Sequence, residues 1–431
     1  MIGSGQSPVD AAIDAVVGLE ESALIIQGPP GCGKTYTAAR IIAELVSQGQ
    51  RVGVTSNSHA AIHNLLVAAL DVCDENDVEV TCITTGKADK QADSRLEFES
   101  NTGLSLLVDK GVVVGTTAWG FVRSDMIDSL DVLIVDEASQ VSLANLVAMS
   151  RCARNLLILG DQRQLGQPIA GRHKDGGDLS ALDFRLGKMP TVHPDVGILL
   201  ATSYRLHPSI CSVVSKHVYA GRLDASAANA VREIDVPSLQ IKPWHVSAGI
   251  VYVPVEHEGN RHFSLEEVDV ATRVRDDLMG RYWHESSDVK RKLSETDFLF
   301  VTPFNAQVTR LEASLGKGAR VGTVDKFQGQ EAPVVVVSLC LSGETARETG
   351  LSFVLNMQRM NVAVSRAQTL CVIVCHPNLV KLPLAKVGAQ HDFGRAQHID
   401  FFRSLCDGVK PNTATQREVA QHRQNRVSSG G

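Results

Sequence analysis

One short segment of the chain has the residue types and the spacing of a phosphate-binding loop. The segment GPPGCGKT (28–35) fits the pattern G-x-x-x-x-G-K-[ST], and it follows an apolar run and opens an amphipathic helical pattern. Glycines allow backbone N–H groups to surround phosphate oxygens, Lys34 can reach the β and γ phosphates, and the Thr35 hydroxyl can bind Mg²⁺. The segment therefore predicts a nucleoside triphosphate site made by Gly28, Pro29, Pro30, Gly31, Cys32, Gly33, Lys34 and Thr35.

A second segment, DVLIVDEASQ (131–140), places two carboxylates directly after another apolar run. Asp136 is expected to bind Mg²⁺ directly or through water, and Glu137 is expected to orient or deprotonate the attacking water. Alone, such a pair is more often a solvated strand end. Because the phosphate loop lies upstream, we predict that the bound triphosphate is hydrolysed.

Both segments lie in a regular alternation of short apolar runs and helical patterns, which is typical of parallel sheets covered by helices. Strands are predicted at 22–28, 51–56, 78–84, 111–117, 131–136 and 155–160, and then at 249–256, 297–303, 319–325, 332–340 and 369–375. Ser264 and Glu267 have the spacing of a capping box before another helical run. We predict an α/β domain at 1–202 with a small insertion at about 71–110, a second at 203–408, and a flexible tail at 409–431.

The composition describes an ordinary globular protein with no dedicated disulfide or zinc framework. Hydrophobic residues make up 44% of 431 residues, and the nine cysteines are scattered without paired CxxC spacing. A net charge of −6 argues against a uniformly basic nucleic-acid binder, although a local basic groove remains compatible with it. No apolar run is long enough for a membrane span and no signal peptide is recognisable, so we expect a cytoplasmic protein.

Nine motifs occur in the order in which they occur in superfamily 1 helicases. They are GPPGCGKT (28–35), TSNSHAAIHNLL (55–66), GTTAWGF (115–121), VDEASQ (135–140), GDQRQL (160–165), SYRLHPSI (203–210), TPFNAQ (302–307), TVDKFQGQE (323–331) and NVAVSRA (361–367). The set resembles the 5′-to-3′ branch, superfamily 1B. That branch contains the nonsense-mediated-decay RNA helicase, the Okazaki-fragment helicase-nuclease and bacterial helicases fused to RecB-like nucleases.

The resemblance implies two tandem RecA-like P-loop domains with parallel sheets and an ATP cleft between them. It implies that Gln164 senses the γ-phosphate, and that Arg205 and Arg366 contact the phosphates from the second domain. A guanidinium group suits that task because its rigid fork binds phosphate oxygens. Tyr204 would stack on the base, and Glu331 would accept hydrogen bonds from the ribose hydroxyls.

The resemblance also implies a surface for single-stranded DNA or RNA made by strand-end loops. Its residues are Ser56, Asn57, Ser58, His59, Thr116 and Thr117 in the first domain, and Pro303, Asn305, Thr323 and Gln328 in the second. Small hydroxyl and amide groups bind phosphate and sugar without reading base edges. For each Ser or Thr, ordinary loop capping is an equally good interpretation.

These features predict an ATP hydrolase that acts as a helicase or translocase on single-stranded nucleic acid, with 5′-to-3′ movement and with ATP and Mg²⁺ as cofactors. The resemblance adds a fused or associated nuclease as a partner, although the carboxylates show no second paired pattern outside the ATP site. An ATP-dependent clamp or ribonucleoprotein remodeller that unwinds no duplex is the alternative. A small-molecule kinase is a weaker alternative, because it leaves the downstream motifs unexplained.

Overall fold

The structure of the chain is a computed structural model, and it describes residues 6–86, 92–167, 179–237, 241–327, 329–342, 348–382 and 393–407. The chain divides into two compact units, Met1–Ala201 and Thr202–Gly431. The predicted tail at 409–431 and residues 87–91 of the predicted insertion lie outside the described residues. Within the described ranges, no helix has the length and apolar character needed to cross a bilayer.

Unit 1 contains a single sheet of eight strands, and all neighbouring strands run parallel. The strands are β1 Ala23–Gln27, β2 Val52–Thr55, β3 Thr81–Thr84, β4 Leu96–Phe98, β5 Val112–Gly115, β6 Leu130–Val135, β7 Ala153–Gly160 and β8 Gly197–Leu199. Their spatial order is β4-β3-β5-β2-β6-β7-β1-β8. The central strands β5, β2, β6 and β7 are buried along at least half of their length and completely towards their carboxyl ends, which explains why they are rich in apolar residues.

Helices connect most of the consecutive strands of unit 1, and one helix precedes the first strand. They are α1 Pro8–Val17, α2 Lys34–Ser47, α3 His59–Glu75, α4 Asn101–Leu104, α5 Ala118–Phe121, α6 Leu143–Met149 and α7 Ala181–Leu186. Helix α2 buries Ala38, Ile41, Ile42 and Leu45 at helical spacing, and Gly49 follows its end with φ of 69°. This packing fixes the start of α2, where the phosphate loop ends.

The strands of unit 2 are β9 Thr202–Ser203, β10 Asp224–Ala225, β11 Glu233–Ile234, β12 Gly249–Pro254, β13 Tyr282–His284, β14 Lys290–Lys292, β15 Phe298–Val301, β16 Arg320–Gly322, β17 Ala332–Ser338 and β18 Ala367–Cys375. Five of them form a parallel sheet with the order β12-β18-β17-β15-β16. Strands β9 and β10 form a separate pair, while β11, β13 and β14 form an antiparallel sheet. The helices are α8 Pro208–Val218, α9 Leu265–Leu278, α10 Asn305–Leu315, α11 Glu348–Val354, α12 Met357–Val364, α13 Pro377–Val380 and α14 Phe393–Asp407.

The predicted α/β fold with two parallel sheets is confirmed, and each predicted strand coincides with a strand of one of the two large sheets. The capping-box prediction is only half right. The Ser264 hydroxyl accepts from the Glu267 backbone N–H at 3.1 Å. The Glu267 carboxylate instead turns into the core, where it accepts from the Ser338 hydroxyl at 2.7 Å and the Cys340 backbone N–H at 3.0 Å. It also shares a 2.9 Å hydrogen bond with His257 Nε2.

Candidate nucleotide site and nucleic-acid surface

The phosphate loop connects β1 to α2 at the carboxyl edge of the unit 1 sheet. Gly31 and Gly33 have φ of 71° and 77°, in the left-handed region that favours glycine. A Cβ at Gly28 would lie 2.2 Å from Cγ of Lys34, whose ammonium donates to the Gly28 carbonyl at 2.8 Å. Gly33 caps α2 without a side-chain hydrogen bond, so the first N–H groups of the helix remain available for an anion.

The acidic pair follows β6, which is two strands from β1 in the sheet. Asp136 is 8% exposed, and its Oδ1 accepts from the Glu137 backbone N–H at 2.9 Å. Burial, and then the charge of Glu137, raise the pKa of Asp136 to about 7, while the positive charge of Lys34 opposes the shift. Glu137 has φ of 50°, which turns the chain sharply at the strand end.

A divalent cation fits the chemistry of this donor set. Asp136 is a buried carboxylate whose negative charge is unfavourable in its present surroundings, and a cation would remove that penalty. Thr35 is exposed at the second position of α2 and supplies a hydroxyl oxygen. Oxygen donors of this kind, completed by phosphate oxygens and water, are typical of Mg²⁺ sites.

A buried polar network joins the ends of β1 and β7, and sequence reasoning missed two of its members. Gln164 is 6% exposed, and its amide donates to Asp161 Oδ2 at 3.0 Å. The other Asp161 oxygen accepts from the Gln27 amide at 3.2 Å, and Gln27 Oε1 accepts from the Val192 backbone N–H at 2.7 Å. Gln27 was detectable as the one polar side chain inside an apolar strand directly before the phosphate loop.

In unit 2, two of the predicted nucleotide residues form an ion pair with each other. Arg205 donates from Nε to Glu331 Oε2 and from Nη1 to the Ser365 carbonyl, the latter at 3.2 Å. The other Glu331 oxygen accepts from the Gln368 amide at 2.7 Å. Burial alone would raise the pKa of Glu331, but the Arg205 charge and these hydrogen bonds outweigh it, and the net shift is downwards. Tyr204, beside this pair, is 61% exposed.

Arg366 is placed differently, because it is only 3% exposed and its guanidinium donates to backbone carbonyls. Its Nε donates to Val362 at 3.2 Å and its Nη1 to Gln330 at 3.1 Å. Glu331 and Arg366 directly precede β17 and β18, so both lie at the amino edge of the unit 2 sheet. The packing of the short turn from α12 into β18 holds Arg366 there.

Arg232 is a further residue of this cluster that sequence reasoning did not identify. Its Nη1 donates to the backbone carbonyls of Arg205 at 2.6 Å and Tyr204 at 3.2 Å. It therefore fixes the main chain that carries both predicted nucleotide contacts. No local pattern could have revealed it, because Arg232 lies 27 residues from Arg205 in the chain.

The predicted nucleic-acid residues of unit 1 follow β2 and β5 at the carboxyl edge of the sheet, on the side of β6 away from β1. Asn57, Ser58 and His59 are exposed, and the Ser58 hydroxyl caps α3 by accepting from the Ala61 N–H. Thr116 is fully buried, and its hydroxyl donates to Asn101 Oδ1 at 2.9 Å and shares a 2.7 Å hydrogen bond with the Thr85 hydroxyl. Ser56 and Thr117 both line a small cavity.

The predicted nucleic-acid residues of unit 2 that the structure describes lie at the carboxyl edge of its parallel sheet, whereas Glu331 and Arg366 lie at the amino edge. Pro303 and Asn305 follow β15, and Thr323 follows β16, all at the carboxyl edge of the parallel sheet. Asn305 is exposed, whereas Pro303 and Thr323 are half-buried. The remaining predicted residue, Gln328, lies outside the described residues.

Comparison with known proteins finds similarity over most of the chain. Two models, each described as an AAA domain, match residues 5–175 and 186–378. The DNA replication ATP-dependent helicase/nuclease DNA2 of Bos taurus is 25% identical over 438 residues, or 90% of this chain and 40% of that protein. The protein of the same name in Homo sapiens is 25% identical over 404 residues, or 84% of this chain and 37% of that protein. The predicted resemblance to superfamily 1B helicases of the Okazaki-fragment helicase-nuclease group is confirmed by these matches.

The chain spans about two fifths of the length of its Bos taurus relative. The dna2 protein of Schizosaccharomyces pombe, which bears the same helicase/nuclease name, is 24% identical over 391 residues, or 81% of this chain and 26% of that protein. Among solved structures, a complex of arterivirus nonstructural protein 10 (helicase) with DNA matches 85% of this chain and 62% of that chain. Its TM-score is 0.44 and its sequence identity is 15%.

Proposed function

We propose that the chain is the ATP-driven motor of a DNA helicase, which hydrolyses ATP and moves along a single strand. The observation that carries the proposal is the carboxyl edge of unit 1. There the phosphate loop with Lys34, the Asp136–Glu137 pair and the Gln164 network converge at the ends of β1, β6 and β7. The names of the helicase/nuclease relatives support DNA as the substrate.

In the proposed reaction, the loop amides and Lys34 bind the β and γ phosphates, while Thr35 and Asp136 hold Mg²⁺. The metal would offset the charge that develops on the phosphates during transfer. Glu137 would orient the attacking water and accept its proton, and Gln164 would sense the γ-phosphate. The surroundings of Asp136 support this assignment, because burial and the charge of Glu137 raise its pKa and a bound cation would stabilise the ionised carboxylate.

We propose further that Arg205 and Arg366 stabilise the triphosphate and that Tyr204 and Glu331 contact the base and ribose. Arg205 is available for this role because the partner of its Nε is a carboxylate side chain, which a phosphate oxygen can replace, and only its Nη1 donates to a main-chain carbonyl, that of Ser365. Arg366 requires more rearrangement, since its guanidinium binds two main-chain carbonyls.

The experiment that tests the motor function measures ATPase rates without nucleic acid, with single-stranded DNA and with single-stranded RNA. Strand displacement from 5′-tailed and 3′-tailed duplexes is measured in parallel. Lys34→Ala should abolish nucleotide binding, whereas Glu137→Gln should bind ATP and turn it over slowly. Lys110→Ala and Glu79→Gln are the matched controls, because both side chains are exposed and lie outside the phosphate loop and the acidic pair.

Each outcome separates one alternative from the motor proposal. ATPase that DNA and RNA both leave unchanged would refute a nucleic-acid motor. ATPase stimulated by single strands without displacement of either duplex would identify a clamp instead. Stimulation by RNA but not by DNA would overturn the DNA assignment. The 5′-to-3′ polarity, a cytoplasmic setting and a fused or associated nuclease remain predictions, and displacement of only the 5′-tailed duplex would support the first of them.

A further inference from the structure

The most exposed large aromatic side chain among the described residues of unit 1 belongs to Trp119, which is 76% exposed. It stands in the four-residue helix α5. The chain is fixed on both sides of it, because Thr116 and Phe121 are 0% and 1% exposed. A Cβ at Gly120 would meet Thr116 at 2.3 Å, so the turn packs closely against β5. Trp119 is therefore held outwards by a rigid turn rather than by a mobile loop.

Trp119 lines a cavity of about 120 Å³ together with Ser56, Asn57, Thr117 and Asn145. That volume corresponds to about four water molecules, so the cavity admits a flat polar ring and not a whole nucleotide. Ser56 is 3% exposed, and its hydroxyl has no hydrogen-bond partner among the described residues. Buried hydroxyl groups without partners are uncommon in folded proteins, because desolvation is then uncompensated.

We infer that this cavity is a subsite for one base of a bound single strand. The base stacks on the indole of Trp119, and its polar edge forms a hydrogen bond with the Ser56 hydroxyl. The inference rests on the proposed function and deepens it, since the predicted residues alone bind only phosphate and sugar. It adds Trp119 and Asn145 to the surface and gives Ser56 a base rather than a phosphate as its ligand.

The chemistry of the lining favours a base over other flat ligands. An exposed indole gives stacking area that every base can use, so the contact is strong without being sequence-specific. A hydroxyl both donates and accepts, so Ser56 can pair with an amino or a carbonyl group on the base edge. Asn57 and Thr117, which also line the cavity and are exposed and half-buried, can bind the sugar and phosphate of the same nucleotide.

Intrinsic fluorescence gives a direct readout of the stacked contact. The chain has three tryptophans, and Trp244 and Trp283 are 5% and 1% exposed in unit 2. A thymidine oligonucleotide that stacks at the subsite should therefore quench the emission of Trp119. An abasic oligonucleotide of equal length carries the same phosphates and should not. Trp119→Phe should remove the quenching while it keeps most of the affinity, because phenylalanine also stacks.

Affinity measurements with the same two probes test the energetics. The wild-type chain should bind the thymidine oligonucleotide more tightly than the abasic one by about five- to hundredfold, the usual range for one stacked base. Trp119→Ala should remove this difference and leave the affinity for the abasic probe unchanged. Ser56→Ala should lower the thymidine affinity by about two- to tenfold, again without an effect on the abasic probe. Phe184→Ala is the matched control, because Phe184 is 58% exposed in unit 1 and lines no part of the cavity.

The outcomes distinguish the subsite from the motor function. Equal binding of the two probes by the wild-type chain, with ATPase stimulated by both, would refute the base subsite and leave the motor proposal intact. Loss of binding to both probes in Trp119→Ala would also overturn the inference, because it would assign Trp119 to backbone contacts or to folding. A wild-type chain that binds neither probe and whose ATPase does not respond to them would refute the proposed function itself.

Discussion

Replacement of Asp136 by Asn should make unit 1 more stable and inactive at the same time. Asp136 is 8% exposed, and burial and the charge of Glu137 raise its pKa from 3.8 to about 7. Asn has the same shape and keeps an oxygen that can accept from the Glu137 backbone N–H, but it carries no charge to desolvate. The substitution therefore removes an unfavourable charge and preserves the packing at the end of β6.

The raised pKa of Asp136 determines both the sign and the size of the change in the free energy of unfolding. Between pH 3.8 and about 7, the folded chain keeps a proton on Asp136 that the unfolded chain has lost. The free energy of unfolding of the wild-type chain therefore falls as the pH rises through this window. A shift of about three pKa units at 1.36 kcal/mol each gives a gain for Asp136→Asn of up to about 4 kcal/mol above pH 7, which shrinks towards zero near pH 4.

Urea unfolding of the protein without metal or nucleotide, repeated across this pH range, measures the gain. Asp131→Asn is the control at the other end of β6. The hydrogen bond from Arg51 lowers the pKa of Asp131, so its replacement should instead destabilise the protein above pH 4. Mg²⁺ should stabilise the wild-type chain at neutral pH and leave Asp136→Asn unchanged. The reasoning fails if the variant shows no gain above pH 7, or if its gain does not depend on pH.

Two further substitutions test the packing that supports the sites. Gly160→Ala should lower stability by about 1–3 kcal/mol and slow ATP turnover. Its Cβ would lie 2.9 Å from the Ala138 backbone nitrogen, so the acidic turn must shift; Gly318→Ala, with no atom within 4 Å, should be tolerated in the same denaturation and ATPase assays. Glu267→Ala should destabilise unit 2 by about 3–5 kcal/mol, because it leaves the partners of a fully buried carboxylate unpaired. Exposed Glu312→Ala should shift the urea midpoint very little, and a Glu267→Ala midpoint equal to that of wild type would contradict the assigned role.

The long buried strands could be predicted from the sequence, whereas β4 and β8, at the two edges of the unit 1 sheet, could not. Strand β17 is buried at all seven positions, so it reads as an uninterrupted apolar run. Strand β4 has only three residues with one buried side chain, and β8 has three residues in all. Such short segments carry no periodicity, and their pairing is decided by neighbours distant in the chain.

In the predicted nucleotide site, too, the part formed by neighbouring residues could be predicted from the sequence, and the contacts between distant residues could not. The phosphate loop is a local feature, because a strand, a glycine-rich turn and a helix start adjoin one another in sequence. The ion pair of Arg205 with Glu331 joins residues 126 positions apart, and Gln27 and Asp161 are 134 positions apart. Resemblance assigned nucleotide contacts to Arg205 and Glu331 individually. Their pairing with each other needed the fold.

The ion pair between Arg205 and Glu331 links the phosphate contact predicted for Arg205 to the ribose contact predicted for Glu331. The Arg205 Nε–H and both Glu331 oxygens are already engaged, by each other and by the Gln368 amide, so this pairing competes with a phosphate for Arg205 and with ribose hydroxyls for Glu331. The side chain of Arg205 is 12% exposed, so breaking the pair without a replacement would leave a poorly solvated charge. A nucleotide would supply both replacements at once, a phosphate oxygen for the guanidinium and hydroxyl donors for the carboxylate. We therefore expect the phosphate contact of Arg205 and the ribose contact of Glu331 to form together. The hydrogen bond from Arg232 to the Arg205 carbonyl would hold the main chain in place while the Arg205 side chain changes partner.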